Sequence, residues 1–230
     1  MVIKLCPNKV FIVNIFLILF LLCLNILVIV LGSNLESAPG VFLFNFNSEK
    51  NIPTLYSSAA LIISSILLLF IACSQYQKKA SYIPWFVLSG TFLFLSIDEL
   101  FAVHEKLIKP MKEIFQASGF FYYAWVIPYG IALVIFTILY SKFLFRLPKN
   151  IMLLFLVSGA TFVLGAIGFE LLGGRQAQVF GEDTILYSVY YTCEEFLEML
   201  GIATFIYALL TYVANQAEAV TIVVTKDKLK

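Results

Sequence analysis

The sequence predicts an all-α fold, an integral membrane bundle of six transmembrane helices with both termini cytoplasmic. Three observations carry that expectation. The 230 residues are 61% hydrophobic, 16% aromatic and only 13% charged. A soluble domain of this size has too little interior to hide so much apolar side chain. Apolar stretches near twenty residues recur along the chain, the length a helix needs to cross a hydrocarbon core about 30 Å thick. Turn residues punctuate them at Pro39-Gly40, Pro53, Pro148 and Gly173-Gly174.

Span one is expected at Val10–Leu31, behind Lys4 and Lys9. Its basic start resembles a signal peptide, but it outruns the about 7–15 apolar residues of a signal core, so it reads as a retained helix. Asn14 and Asn25 share one of its faces. Span two, Leu55–Gln75, carries Ser57, Ser58, Ser64 and Ser65. Both polar sets predict hydrogen bonds between helices. Span three is Tyr82–Glu105 and span four Tyr122–Phe145, with a kink expected at Pro128. Between them, Lys106–Phe121 reads as an outer loop holding a short amphipathic helix. Pro110 would start it, and Met111, Ile114 and Phe115 would face the membrane. Span five is Ile151–Gly173 and span six Leu186–Ala214. One transmembrane domain over residues 1–215 and a cytoplasmic tail over 216–230 follow.

Basic residues set the orientation. With the amino terminus inside, ten lysines and arginines fall in inner segments and five in outer ones, namely Lys50, Lys106, Lys109, Lys112 and Arg175. Net charge is +1, which gives no electrostatic case for nucleic acid. Cys6, Cys23, Cys73 and Cys193 are scattered, without the spacing of a disulfide or zinc framework.

Three spans carry ionisable groups where lipid-spanning helices should carry none. They are Asp98, Glu99, His104 and Glu105, then Glu170, then Glu194, Glu195 and Glu198. A charge at membrane depth costs roughly 2.5–3.5 kcal/mol on insertion scales, so it seeks a partner, a cavity or an ion. At about 1.5 Å per residue, Asp98, Glu170 and Glu198 all fall in the outer third of the bilayer. Glu194, Glu195 and Glu198 occupy about a 100° arc of their helix. Asp98 and Glu105 point the same way, and Glu99 and His104 join them only if span three bends or ends near Val103. On span five the small residues Ser158, Thr161, Gly165 and Gly168, and the stripe Gly159, Ala166 and Glu170, would let it sit between spans three and six. An inverted repeat would send the two acidic pairs to opposite leaflets, so no repeat is assigned.

Oxygen ligands in excess and one imidazole suit magnesium, manganese, calcium or non-haem iron better than zinc. Asp98, Glu99, His104, Glu170, Glu194, Glu195 and Glu198 are the candidate metal ligands. His104 and Glu105 are candidate general bases for a metal-activated water. A site at the outer interface would meet membrane lipids, which are the expected partners. Protein partners are not indicated. The readings are a metal-binding protein working as a lipid-directed enzyme, a proton or cation carrier or channel, and a structural subunit whose acids pair with Lys106, Lys109 or Arg175.

The segments Leu95-Ser-Ile-Asp-Glu-Leu-Phe-Ala-Val-His-Glu-Lys-Leu107, Leu164-Gly-Ala-Ile-Gly-Phe-Glu-Leu-Leu-Gly-Gly174 and Glu194-Glu-Phe-Leu-Glu-Met-Leu-Gly201 resemble an uncharacterised family of bacterial multi-pass membrane proteins. The resemblance covers roughly Leu55 to Val213 and implies location in a bacterial plasma membrane, but no activity. Membrane ceramidases and desaturases, which use several histidines, are a poor match to a chain with one.

Overall fold

The computed structural model describes residues 6–35 and 40–216. Lys4, Pro39 and residues 217–230 of the expected tail lie outside them, while Gln216, its first residue, ends the last helix. Among the described residues every regular element is helical. The long helices are α1 (Pro7–Leu35), α2 (Ile52–Gln77), α3 (Ile83–Phe101), α5 (Val126–Leu144) and α8 (Ile185–Gln216). The amphipathic α4 covers Ile108–Phe115. A further long helix is built of α6 (Lys149–Val163), a π-helical stretch at Leu164–Phe169 and α7 (Glu170–Phe180). Six of these helices are long and apolar enough to cross a membrane.

Helix α8 is the hub, packing on α1, α2, α6 and α7. Leu61 of α2 shares a core with Ile202 and Ile206, while Leu68 and Ile71 share one with Phe205, Leu209 and Tyr212. Residue numbers climb together, so α2 and α8 run in the same direction. One half of the bundle is filled with aromatic rings. Phe92 stacks on Phe205 at 4.4 Å, Phe155 meets Phe205 at 4.8 Å, and Trp85 meets Tyr212 at 4.7 Å.

Polar side chains join the helices without charge. Ser58 donates to the Ser96 carbonyl at 3.1 Å and Ser96 to the Ser58 carbonyl at 3.0 Å. Two turns along, Ser65 and Ser89 repeat the exchange at 2.8 Å each way. Backbones must come close for such reciprocal bonds, which small residues permit. On α1, Asn14 accepts from the Tyr56 hydroxyl at 2.7 Å, and Asn25 donates to Thr192 at 2.9 Å. The expected interhelical role of the asparagines and of Ser58 and Ser65 is what the structure has. Ser64 instead bonds its own helix at the Ala60 carbonyl, and Ser57 has no partner among the described residues.

Several boundaries differ from expectation for physical reasons. Pro128 makes no kink, because α5 starts at Val126 and places the proline in the first turn, where its missing N–H is harmless. Pro110 likewise sits inside the first turn of α4 rather than ahead of it. Gly173-Gly174 is not a turn. Both residues are buried within α7, where a Cβ on Gly174 would stand 3.1 Å from the Tyr123 ring, so the pair serves close packing. Gly159, expected in a packing stripe, has nothing near it, whereas Gly165 and Gly201 are the tight contacts with α8. The π-helix rotates the register beyond Leu164, so stripes drawn at regular α spacing stop predicting neighbours there.

The candidate acidic site

Helix α3 ends where its acids begin to matter. Ala102 takes a left-handed conformation at φ 45° and its N–H returns to the Asp98 carbonyl. The chain turns back at once and carries His104 over Asp98. Asp98 Oδ1 accepts the His104 backbone N–H at 2.7 Å and stands 3.2 Å from Nδ1. Its Oδ2 accepts from the Tyr129 hydroxyl at 2.8 Å. Asp98 is thus fully partnered at 5% exposure. Burial pulls the His104 pKa down, but the hydrogen bond and charge of Asp98 outweigh it, and the net direction is up from the ordinary histidine value.

The π-helix sets up the second part. A Cβ on Gly165 would lie 2.6 Å from the Glu194 carbonyl oxygen and 3.1 Å from the Glu198 backbone nitrogen. Only glycine allows that approach, which seats the helix on the acidic stretch of α8. One turn on, Glu170 accepts from the Trp125 indole N–H at 2.6 Å and is a close neighbour of Glu194. Trp125 closes the circle back to α3. Its ring is 4.7 Å from the His104 ring and 5.1 Å from the Tyr129 ring.

Glu99, Glu195 and Glu198 make the third part. Glu198 feels the charges of Glu99, Glu195, Glu170 and Asp98, and Glu195 those of Glu99, Glu49 and Glu170. All three are half-buried. The acids of α3, α7 and α8 lie at one end of the bundle, within electrostatic reach of one another. Glu105 is on the exposed margin, in a single 3-10 turn at Glu105–Leu107, within electrostatic reach of Glu170.

Glu49 was not singled out in the sequence, where it reads as a solvated loop residue beside Lys50. The loop is pinned by asparagines. Asn25 accepts the Phe46 N–H at 2.9 Å, and Asn51, which caps α2 through the Thr54 N–H at 2.7 Å, also holds the Asn45 carbonyl at 2.6 Å and that of Ser48. Glu49 is thereby kept at the exposed edge of the cluster, within electrostatic reach of Glu105, His104 and Asp98. Burial first, then the charge of Glu105, push its carboxyl above the ordinary value. Trp125 and Tyr129 were also missed as site residues. Their four-residue spacing on one helical face was the available signal.

Basic residues do not neutralise this cluster. His104–Asp98 is the one ion pair among the described residues. Lys112 lies over the Tyr122 ring at 3.6 Å and Arg175 over the Phe120 ring at 4.7 Å. The pairing expected of Lys106, Lys109 and Arg175 is therefore corrected, because the lysine-rich segment turns outward. Among the described residues no group of three or more His, Cys, Asp or Glu side chains is arranged to hold a metal ion.

Fold and site together define a helical bundle of membrane-crossing dimensions with an acidic cluster at one end. The chain belongs to the family described as a domain of unknown function, DUF8692, which it matches over residues 13–213. No curated protein and no solved structure matches it.

Proposed function

We propose that this is a multi-pass protein of the bacterial plasma membrane that binds a cation at the acidic cluster. Both termini are cytoplasmic in this reading, and the site lies toward the outer leaflet. The excess of lysine and arginine in the inner segments supports that orientation. One observation carries the function: α3, α7 and α8 bring carboxylates to one end of the bundle, with a single histidine as their ion-pairing base among the described residues. Such a group at membrane depth requires positive charge from elsewhere.

Magnesium, manganese, calcium or non-haem iron have the oxygen preference that suits Asp98, Glu99, Glu170, Glu194, Glu195 and Glu198, with His104 as the nitrogen donor. As the side chains stand they do not close on one point, so metal binding requires the half-buried glutamates to swing inward. A lipid-directed, metal-dependent enzyme is the functional form of this reading. His104, oriented by Asp98 through Nδ1, and the exposed Glu105 are its candidate bases. Metal analysis of purified protein tests it, with native chain set against Glu195→Gln and His104→Ala. Stoichiometric metal lost in Glu195→Gln is expected, and metal absent from the native chain overturns the metal form.

Protons are the second reading, favoured by the closeness of Glu170 and Glu194, since neighbouring carboxylates relieve their repulsion by taking up a proton. A carrier or channel needs a route to both faces. The Phe92, Phe155 and Phe205 rings pack together in the far half of the bundle and favour a one-sided site. Proton flux in liposomes, abolished by Glu198→Gln, would reverse that preference.

A further inference from the structure

We propose that the cation received by this cluster is a protonated primary amine carried on a phospholipid headgroup. The inference rests on the cation-binding reading and names its occupant. A metal ion needs its oxygen ligands drawn in to about 2.0–2.6 Å, and the described side chains offer no such group. An ammonium has three N–H donors reaching acceptors at about 2.7–2.9 Å in different directions. It therefore suits carboxylates that do not converge on a point.

A second, independent observation points to the same site. Ser57 is 1% exposed, and its hydroxyl has no hydrogen-bond partner among the described residues. It lies one turn before Leu61 on the α2 face that packs against Ile202 and Ile206 of α8. Glu198 lies one turn before Ile202. The two helices run in the same direction, so the orphaned hydroxyl lies at the level of Glu198, on the α2 face turned toward α8. A buried hydroxyl without a partner costs about 1–3 kcal/mol, and an N–H donor beside Glu198 removes that cost.

The surroundings fit an organic cation on an amphiphile. Trp125, Tyr129 and His104 pack together around Asp98 and Glu170, and aromatic faces attract ammonium groups. Outward of Glu170, Arg175 and Lys112 rest on the rings of Phe120 and Tyr122, without carboxylate partners among the described residues. These cations suit a phosphate. Beside them α4 exposes Ile114 at 66% and Phe115 at 52%, an apolar surface for acyl chains. An acidic interior under a basic rim matches an amine joined to a phosphodiester.

The test is native mass spectrometry of the full chain with phosphatidylethanolamine, phosphatidylcholine or phosphatidylglycerol at equal mole fraction, with free ethanolamine as competitor. Retention of phosphatidylethanolamine about tenfold above the other two is expected, the scale of one charge-assisted hydrogen bond. Glu195→Gln combined with Glu198→Gln should remove the preference, and Glu198→Asp should keep it. Arg175→Gln should weaken the lipid but not free ethanolamine. Equal retention of the three lipids overturns the proposal, as does a preference untouched by the double glutamine variant. Ethanolamine binding as tightly as the lipid overturns the lipid source alone. A parallel titration with Mn²⁺ separates the two levels: saturable Mn²⁺ binding without lipid preference overturns the amine and keeps the cation reading, whereas failure of both removes both.

Discussion

Gly165→Ala is the sharpest probe of how the acidic site is assembled. The new Cβ would stand 2.6 Å from the Glu194 carbonyl oxygen, where ordinary contact begins at 3.4 Å. One helix must therefore retreat by about 0.8 Å, and the obstruction is backbone, which cannot rotate away as a side-chain tip can. Overpacking of this kind costs about 1–3 kcal/mol. Alanine's better helix propensity returns about 0.5–1 kcal/mol of that. A net loss near 1–2 kcal/mol lowers the melting temperature by about 2–8 °C in a chain of this size. Gly159→Ala is the matched control, because nothing lies within 4 Å of its Cβ. It should leave the melting temperature unchanged or raise it. The assay is thermal unfolding in one detergent, with cation or lipid binding measured on the same samples. Gly165→Ala should also weaken binding, since the retreat separates Glu170 from Glu194. Equal behaviour of the two alanine variants would refute the claim that the π-helix is seated on α8 by this glycine.

Four further outcomes follow from the same geometry. A double-mutant cycle on Ser58→Ala and Ser96→Ala should give a coupling of about 0.6 kcal/mol, the usual size for hydrogen bonds between membrane helices; zero coupling in unfolding titrations would deny the reciprocal pair. The raised His104 pKa makes a contribution to stability that is complete below about pH 6.5 and lost as pH rises through the folded value. Melting of the native chain should therefore fall across that window, and in His104→Gln the fall should be smaller. Trp125→Phe removes the donor to Glu170 but keeps an apolar ring, so it should cost about 1.5–3 kcal/mol if that hydrogen bond to a charged group counts, read by the same melts. Asn51→Ala removes the α2 cap and two ties on the loop that holds Glu49, and should cost about 1 kcal/mol or more.

The acidic site was readable because lipid makes charge expensive. Asp98, Glu99, Glu170, Glu194, Glu195 and Glu198 stand out in apolar runs, and helical rise alone places them at one level. Glu49 could not be found that way. It lies in a polar loop where a carboxylate costs nothing, and only the bonds of Asn25, Asn45 and Asn51 bring it to the cluster. Gly173-Gly174 failed for a different reason. Glycine pairs read as turns in water, but between membrane helices they are also the residues that let Tyr122 and Tyr123 approach. The π-helix is invisible to pattern reasoning, because one extra residue per turn leaves composition unchanged while rotating every later side chain.

The bundle also bears on whether the acids are there to hold it together. Its joints are elsewhere: serine pairs between α2 and α3, asparagines between α1 and its neighbours, glycine contacts at Gly165 and Gly201, and stacked rings in the far half. Asp98 and Glu170 have hydrogen-bond donors, yet Glu99, Glu195 and Glu198 lie half-buried chiefly among other carboxylates, Glu49 beside Glu99 and Glu99 beside both Glu195 and Glu198. Removing such groups from a purely structural network should stabilise the fold, since like charges repel and burial adds its own cost. Glu195→Gln and Glu198→Gln should accordingly raise the melting temperature while abolishing cation binding. A site that weakens the scaffold carrying it is the signature of binding rather than of assembly. Glutamine variants that melt lower than the native chain and bind as before would show instead that the carboxylates are part of the framework.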